Sequence, residues 1–460
     1  MVEASPKHGP SPNPVLAHRI GGWLPNEPTI IREHVNHILE KAKKHDLSFV
    51  QPILDLQALI HDDPVVYMLF NEMLTEVPIV PPYDQDPSLQ PEIRDVDSLL
   101  KALNYQIQSP IKWNDSPQIG TPINAILDWP MGTKAGFAVF TRQDVNAIFQ
   151  RMLQHWGDYL KAPANITSVD TSSIATVTIA EKGWLSPEAQ NDPKCPGLAN
   201  FLDTYVVPDP QDPHYGFKTW DEFFTRRFKE HKRPLPEPPN DDVIVSGTES
   251  TPFFIQHDVQ LEDTFWVKNK DWRTNYSLAH MLGDKELAKQ FVGGTVYQAF
   301  LSADSYHNWH APVAGKYLEG HPPRIIPGTY YSEPLMWGFD PDDKNNVHPD
   351  DGADALSQSY ISAVAARGVA FIEATNPKVG LMALVMIGMA EVSSIEFDHK
   401  PKGFAKGEEI GRFHFGGSTH CLVFRPGVNL EFAQDADPSQ SVFYPGARVP
   451  VLSELARVVS

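Results

Sequence analysis

The stretch Lys406-Gly-Glu-Glu-Ile-Gly-Arg-Phe-His-Phe-Gly-Gly-Ser-Thr-His-Cys-Leu-Val-Phe424 sets the character of the C-terminal half of the chain. Apolar residues alternate with others on both sides of Gly416-Gly417-Ser418, the two-residue repeat of strands. One reading of the centre is a hairpin turn, because paired glycines mark turns. A second reading is chemical. A Gly–Ser bond held in a strained turn lets the Ser418 hydroxyl attack the Gly417 carbonyl, which a glycine leaves open. The amide becomes an ester, elimination cuts the chain and leaves dehydroalanine, and hydrolysis turns that residue into a pyruvoyl group. Such a carbonyl takes up an amine as a Schiff base and acts as an electron sink. This segment alone leaves both readings open.

Working outward, Val243–Val245, Thr295–Leu301, Val369–Glu373 and Leu381–Ile387 are short apolar or β-branched runs punctuated by Gly and Pro. They read as strands, so the last 220 residues are expected to be β-rich with few helices. Asp340 to Asp354 reads as an acidic loop or flap. Upstream, Tyr215 to Phe228 carries a short aromatic helix, with Thr219 as N-cap and Glu222 three residues on as a capping box. Before it the pattern is helical. Asp63 caps a helix that opens on Pro64. Val145, Ile148, Phe149, Met152, Leu153 and Trp156 form one stripe of a helix over Arg142–Leu160. The predicted class is α+β: a flexible leader over 1–25, a helical N-terminal domain over 26–204, a Pro-rich linker over 205–240 and a β-rich catalytic domain over 241–460.

Composition narrows the function. Of 460 residues, 41% are hydrophobic and 21% charged, enough apolar residue for a large core. Lys and Arg number 38 against 58 Asp and Glu, a net charge of −20. Such a chain is repelled by phosphate backbones and anionic bilayers, so nucleic-acid binding and stable membrane docking are disfavoured. Cys195 and Cys421 are the only cysteines, which excludes a disulfide framework and any CxxC metal motif. Met1 to His18 lacks the apolar core of a signal peptide. The longest apolar run, Val379 to Ala390, falls short of the about 18 to 20 residues that span a bilayer. These features point to a soluble, cytoplasmic protein.

Two further segments carry candidate chemistry. Tyr306-His-Asn-Trp-His-Ala-Pro-Val-Ala-Gly315 holds His307 and His310, three apart. A metal pair on a helix is one use of that spacing, but Pro312 and Gly315 argue against a long helix and no third ligand is near, so no metal is expected. The alternative gives one histidine the task of activating Ser418 and the other a later proton transfer. Ser246-Gly-Thr-Glu-Ser250 presents Glu249, which reads either as a solvated turn residue or as a carboxylate orienting a histidine, as in a Ser-His-acid relay.

Together these segments resemble the pyruvoyl-dependent phosphatidylserine decarboxylase family. The resemblance rests on Gly417-Ser418-Thr419, on Lys406 to Gly411, on Tyr306 to Gly315, on Trp220 to Arg227 and on Arg233-Pro234, in the family's order. Within it the chain is most similar to a fungal branch that includes L-tryptophan decarboxylases, through Asp63-Pro-Val-Val66, Thr133 to Arg142, Gly183-Trp-Leu185, Phe415-Gly-Gly-Ser418 and Ile387 to Glu391. Two departures are visible: Glu249 stands where the phospholipid enzymes have Asp, and Ser362 to Gly368 where they have Asn-Glu-Arg.

The resemblance implies self-cleavage between Gly417 and Ser418 and a covalent pyruvoyl cofactor made from Ser418. It implies His310 as the base, Glu249 as its orienting acid and His307 as the proton donor in turnover, with the two histidines interchangeable. The substrate expected is a free, aromatic L-amino acid, tryptophan first, with Phe415, Trp309 and Trp337 as candidate pocket residues. The large and small chains are expected to stay associated, and a homo-oligomer is possible in principle. The competing readings are a true phosphatidylserine decarboxylase and a non-catalytic scaffold.

Overall fold

The computed structural model describes residues 29–77, 93–113, 121–163, 172–193, 195–236, 239–265, 275–331, 337–339, 347–349, 353–389, 391, 394–416, 418–438 and 448–459. The leader expected over 1–25 and Gly417 lie outside them, as do the side chains of 337–339, 347–349 and 353–357.

The N-terminal half is helical: α1 (Thr29–His45), α2 (Gln51–Asp62), α3 (Pro64–Glu76), α4 (Val96–Gln106), α5 (Pro122–Met131), α6 (Lys134–Phe140) and α7 (Gln143–Lys161). The Asp63 carboxylate accepts from the Val65 and Val66 amides and caps α3, satisfying donors that the first helical turn leaves open. The apolar stripe of α7 is buried from Val145 through Leu160. The short helix α8 (Trp220–Phe224) starts at Thr219, whose hydroxyl accepts from the Glu222 amide at 3.0 Å. The return bond of the expected capping box is shifted by one residue: Glu222 accepts from the Lys218 amide at 2.6 Å.

The C-terminal half is a seven-stranded antiparallel sheet with three small sheets beside it. In the large sheet, β2 (Thr251–His257), β3 (Thr295–Leu301), β13 (Ser418–Phe424), β10 (Leu381–Gly388), β9 (Arg367–Ala374) and β5 (Gly315–Tyr317) lie in that order, and β6 (Arg324–Ile326) also pairs with β9. The smaller sheets are β11 (Ser394–Phe397), β12 (Glu409–His414) and β4 (Asn308–His310); β1 (Val243–Val245), β15 (Glu454–Val458) and β14 (Leu430–Phe432); and β7 (Trp337–Phe339) with β8 (Val347–Pro349). The long apolar run ending at Ala390 is mostly β10, which both faces of the sheet bury. Among the described residues no helix is long and apolar enough to cross a membrane.

The class is therefore α+β as expected, with a difference in detail. The tail of the expected acidic loop opens a helix, α10 (Ala353–Val364), and α9 (Leu278–Leu282) precedes β3. One hydrophobic core runs from the helices onto the sheet face that carries Val385, Ile387, Cys421 and Val423. A second core lies on the opposite face, with Leu384, Met386, Leu422 and Phe424.

Candidate active site

Strand β13 is hydrogen bonded on both edges. Ser418, its first residue, is in register with Leu301 of β3 and Gly388 of β10. All seven residues of β13 are buried. Their alternation sends Thr419, Cys421 and Val423 to one core and Ser418, His420, Leu422 and Phe424 to the other. The Thr419 hydroxyl donates to the Ala299 carbonyl and accepts from the Gln298 amide, both at 2.9 Å. Ser418 Oγ has no partner and is fully buried. Ahead of it the chain turns sharply. Phe415 has φ 39° and Gly416 φ 102°, and a non-glycine residue is strained there. The Phe415 ring is wedged against Trp156 of α7, with ring centroids 5.6 Å apart. A Cβ added at Gly157 would meet the same ring at 3.0 Å. The helical half thus holds the strained turn in place.

The histidines of the Tyr306–Gly315 segment sit on a turn into β4 and differ in environment. His307 is fully buried and stacked on Phe224 with centroids 4.1 Å apart. Neither of its ring nitrogens has a hydrogen bond of good geometry, and burial pushes its pKa down to about 3, so it is neutral. His310 is engaged at both nitrogens: Nδ1 donates to the Gly407 carbonyl at 2.8 Å, and Nε2 accepts from the Tyr306 hydroxyl at 2.9 Å. Burial lowers its pKa too.

Glu249 is buried, which overturns the solvated-turn alternative. The expected contact between Glu249 and His310 is not made. The carboxylate is taken by the Arg233 guanidinium, at 2.5 and 2.9 Å, and by the Val451 amide at 2.9 Å. A guanidinium fork matches both carboxylate oxygens, leaving the imidazole to a backbone carbonyl. Only the main chain links the segments, His310 N donating to the Gly247 carbonyl at 2.8 Å.

The aromatic candidates divide differently from the expectation. Trp309 is core, flanked by Phe397 and Phe413, and Phe415 buttresses the turn; Trp337 has its side chain outside the described residues. A cavity of about 530 Å³ opens instead between α7 and the β-rich half. Asn146, Phe149 and Leu153 form one wall, Tyr330 and Tyr331 another, and Ile361 and Val364 of α10 a third. It reaches Gly388, the register partner of Ser418. The Tyr330 and Thr329 hydroxyls are buried there without partners. The sequence carried no signal for this cavity, because its walls come from four separate segments. Among the described residues no three His, Cys, Asp or Glu side chains converge as a metal site would require.

Comparison with known proteins adds the family. The phosphatidylserine decarboxylase sequence profile matches residues 220–446, and a second profile of the same description matches 50–192. A decarboxylase, iboD, of Amanita muscaria (strain Koide BX008) is 37% identical over 368 residues, 79% of this chain and 99% of the relative. The chain belongs to the phosphatidylserine decarboxylase family. Membership makes it a decarboxylase. It is also similar to the L-tryptophan decarboxylase of Psilocybe cubensis, at 30% identity over 426 residues and 90% of each chain. A phosphatidylserine decarboxylase proenzyme of Bacillus cereus (strain ATCC 10987 / NRS 248) is 31% identical over 227 residues, 49% of this chain and 74% of the relative. The fungal relatives therefore span both halves, whereas the bacterial proenzyme matches about half the chain.

Proposed function

We propose that the chain cuts itself between Gly417 and Ser418, becomes a pyruvoyl-dependent decarboxylase, and acts on a free aromatic L-amino acid. The residues present fit that cofactor: a buried, unpartnered Ser418 hydroxyl follows a strained Phe415-Gly416 turn. Once formed, the pyruvoyl carbonyl supplies the electron sink that a decarboxylation requires.

The observation that carries the substrate reading is the cavity beside Gly388. At about 530 Å³ it falls within the usual range for small-molecule pockets. Its walls are aromatic and aliphatic, and α7 from the helical half closes one side. A free amino acid fits this enclosure better than a lipid carrying two acyl chains. Tryptophan is the first candidate, on the similarity to the fungal L-tryptophan decarboxylase. Phe149 and Tyr330, with ring centroids 5.0 Å apart, offer faces for an aromatic side chain. Burial keeps His307 neutral at ordinary pH, so its ring holds one N–H and one lone pair; its place in the Tyr306–Gly315 segment makes it the candidate proton donor in turnover.

Cleavage leaves the 43 residues from Ser418 to Ser460 as the small chain. It supplies β13 at the centre of the large sheet and β14–β15 beside β1, so the two chains stay associated.

The test is intact-mass analysis of the purified wild type beside Ser418→Ala, followed by CO₂ release from tryptophan, tyrosine, phenylalanine and phosphatidylserine vesicles. Two fragments, the smaller blocked at its N-terminus, together with CO₂ from an aromatic amino acid, support the reading. An uncleaved wild-type chain refutes self-processing, and release from vesicles alone refutes the substrate class.

A further inference from the structure

Asp304 ties three parts of the molecule to the turn that carries His307. Its side chain is buried. Both carboxylate oxygens accept from Arg448 Nη2 at 3.0 Å; Oδ2 also accepts from the Gly197 amide at 2.6 Å, and Oδ1 from the Ser302 hydroxyl. Arg448 donates in addition to Ser302 Oγ at 2.6 Å. Burial works against the charge on Asp304, and the Arg448 guanidinium outweighs it, holding the carboxyl below the usual carboxylate range. The main chain of the turn is held from another side. Arg226 Nη2 donates to the Asp304 carbonyl at 2.6 Å, and its guanidinium lies over the Tyr205 ring, 4.5 Å from the centroid. Gly197 allows this close approach, since a Cβ there would collide with the Asp304 carbonyl oxygen. His307 depends on the turn. Among the described residues its ring makes no hydrogen bond to another side chain; it is oriented by the Phe224 face, with the Ser305 carbonyl beside it. Arg448 comes from the segment that follows Ser418, so cleavage puts Arg448 and Asp304 on different chains. A buried ion pair adds little stability over an apolar pair of similar volume, and one use of it is to specify a geometry.

We propose that the Asp304–Arg448 pair is a clasp between the two chains of the cleaved protein, with Asp304 and Arg448 as positioning residues for His307. The inference rests on the function proposed above, with His307 as proton donor, and gives the small chain a second task besides supplying the serine. That task is to fix where a proton lands. Loss of CO₂ leaves an electron pair shared between the former α-carbon of the substrate and the carbon that was Ser418 Cα. A proton at the first, then water, gives the amine and restores the carbonyl. A proton at the second, then water, gives an aldehyde and leaves the substrate nitrogen on that carbon, so the small chain then begins with alanine. The substrate carbon is oxidised as the other carbon is reduced, and no outside oxidant is needed. A His307 held in place favours the first outcome, and a loosened one lets the second compete.

The experiment compares wild type, Asp304→Asn, Arg448→Met, Arg448→Lys and the double variant Asp304→Asn/Arg448→Met as full chains. Intact mass first establishes cleavage. Turnover of tryptophan, tyrosine and phenylalanine is then followed by CO₂, amine and aldehyde, and the small chain by mass and by amine labelling of its N-terminus. Asp304→Asn and Arg448→Met are expected to lower kcat roughly 10- to 100-fold, the effect of misplacing a reacting group by about 1 Å, with KM within a few-fold. Their small chains are expected to gain a free N-terminal amine as turnover proceeds, and Arg448→Lys to suppress that gain. A loss of stability alone would lower amine and aldehyde together and leave their ratio unchanged. A second readout needs no cofactor. In the uncleaved Ser418→Ala chain the His307 ring proton signals, identified by their absence after His307→Asn, are expected upfield under the stacked Phe224 ring. They are expected to lose that shift when Asp304→Asn/Arg448→Met is added. Either an unchanged amine-to-aldehyde ratio or an unmoved His307 signal overturns the proposal. Should the single variants not fold, the double variant, which leaves no buried charge unpaired, decides by the same readouts. A wild type that stays whole, or that releases no CO₂ from these amino acids, sinks the proposed function and this inference with it. A working wild type beside variants that keep its product ratio sinks the inference alone.

Discussion

Helix α7 and strand β13 meet at Phe415, and they are built by opposite rules. The buried side of α7 is apolar from Val145 to Leu160, and its one polar atom, Trp156 Nε1, donates to the Ser109 carbonyl at 3.2 Å. Strand β13 is buried throughout yet opens with Ser418, Thr419 and His420. Thr419, on the face toward the helices, is bonded on both sides of its hydroxyl. Ser418 and His420, on the other face, each keep an orphaned atom. A satisfied interior is scaffold. An unsatisfied buried group lowers stability by about 1–3 kcal/mol, a cost that the proposed self-cleavage would account for at Ser418. The helix thus packs against the strained turn, and the strand carries the unpartnered serine on which the proposed chemistry rests.

The contrast is broken most directly at Ser418. Ser418→Ala is expected to abolish cleavage and activity without lowering the melting temperature, since it removes a hydroxyl that bonds nothing. Intact mass and a thermal melt check both halves of that statement. A drop of several degrees would show that the hydroxyl is structural and collapse the distinction.

Trp156→Ala attacks the packing of α7 on the turn. Truncating a fully buried tryptophan costs about 3–5 kcal/mol, and it also frees Phe415 to leave its strained conformation. Denaturant titration is expected to show the loss of stability, and cleavage of the folded fraction to slow about tenfold or more. Unchanged cleavage would make α7 a neighbour of the turn rather than its support.

A third test lies where the halves join. Glu391 is fully buried, and its carboxyl accepts from the Asn124 amide at the start of α5 at 2.7 Å. Burial raises its pKa from 4.5 to about 8. The unfolded chain ionises this group first, so the stability it contributes is fully present below about 4.5 and drains away as pH rises toward about 8, by a few kcal/mol in all. Glu391→Gln is expected to flatten that part of the stability–pH curve. An identical slope in the variant would show that the carboxyl is not neutral in the fold.

The smallest expected effect concerns the cavity. Tyr330→Phe removes a buried hydroxyl without a partner. If the substrate ring carries a polar atom that pairs with it, kcat/KM is expected to fall about tenfold, the worth of a single hydrogen bond, with cleavage unchanged. No change with tryptophan would mean that this wall recognises shape alone.

Much of this architecture was legible in the sequence, for local reasons. The stripe of α7, the Asp63 cap and the runs of β3, β10 and β13 are periodic or capped patterns that neighbours along the chain complete. Helix α10 escaped because its start was read as the end of an acidic loop. The three-residue strands are too short to show a period. Among the candidate site residues, Ser418, His307 and His310 stood out by residue type and spacing. The Arg233–Glu249 pairing and the cavity did not, since they join segments far apart along the chain. Aromatic identity misled at Trp309 and Phe415, because a large ring fills a core as readily as it lines a pocket.

The position of β13, hydrogen bonded on both edges at the middle of the large sheet, bears on supply and demand. A cofactor made there from the chain's own serine would never be imported, shared or exchanged, and dialysis would not strip it. Each molecule would be armed once. The cell could then raise the active pool only by making more chains and lower it only by destroying them, which ties metabolic output to protein synthesis and turnover rather than to the availability of a vitamin.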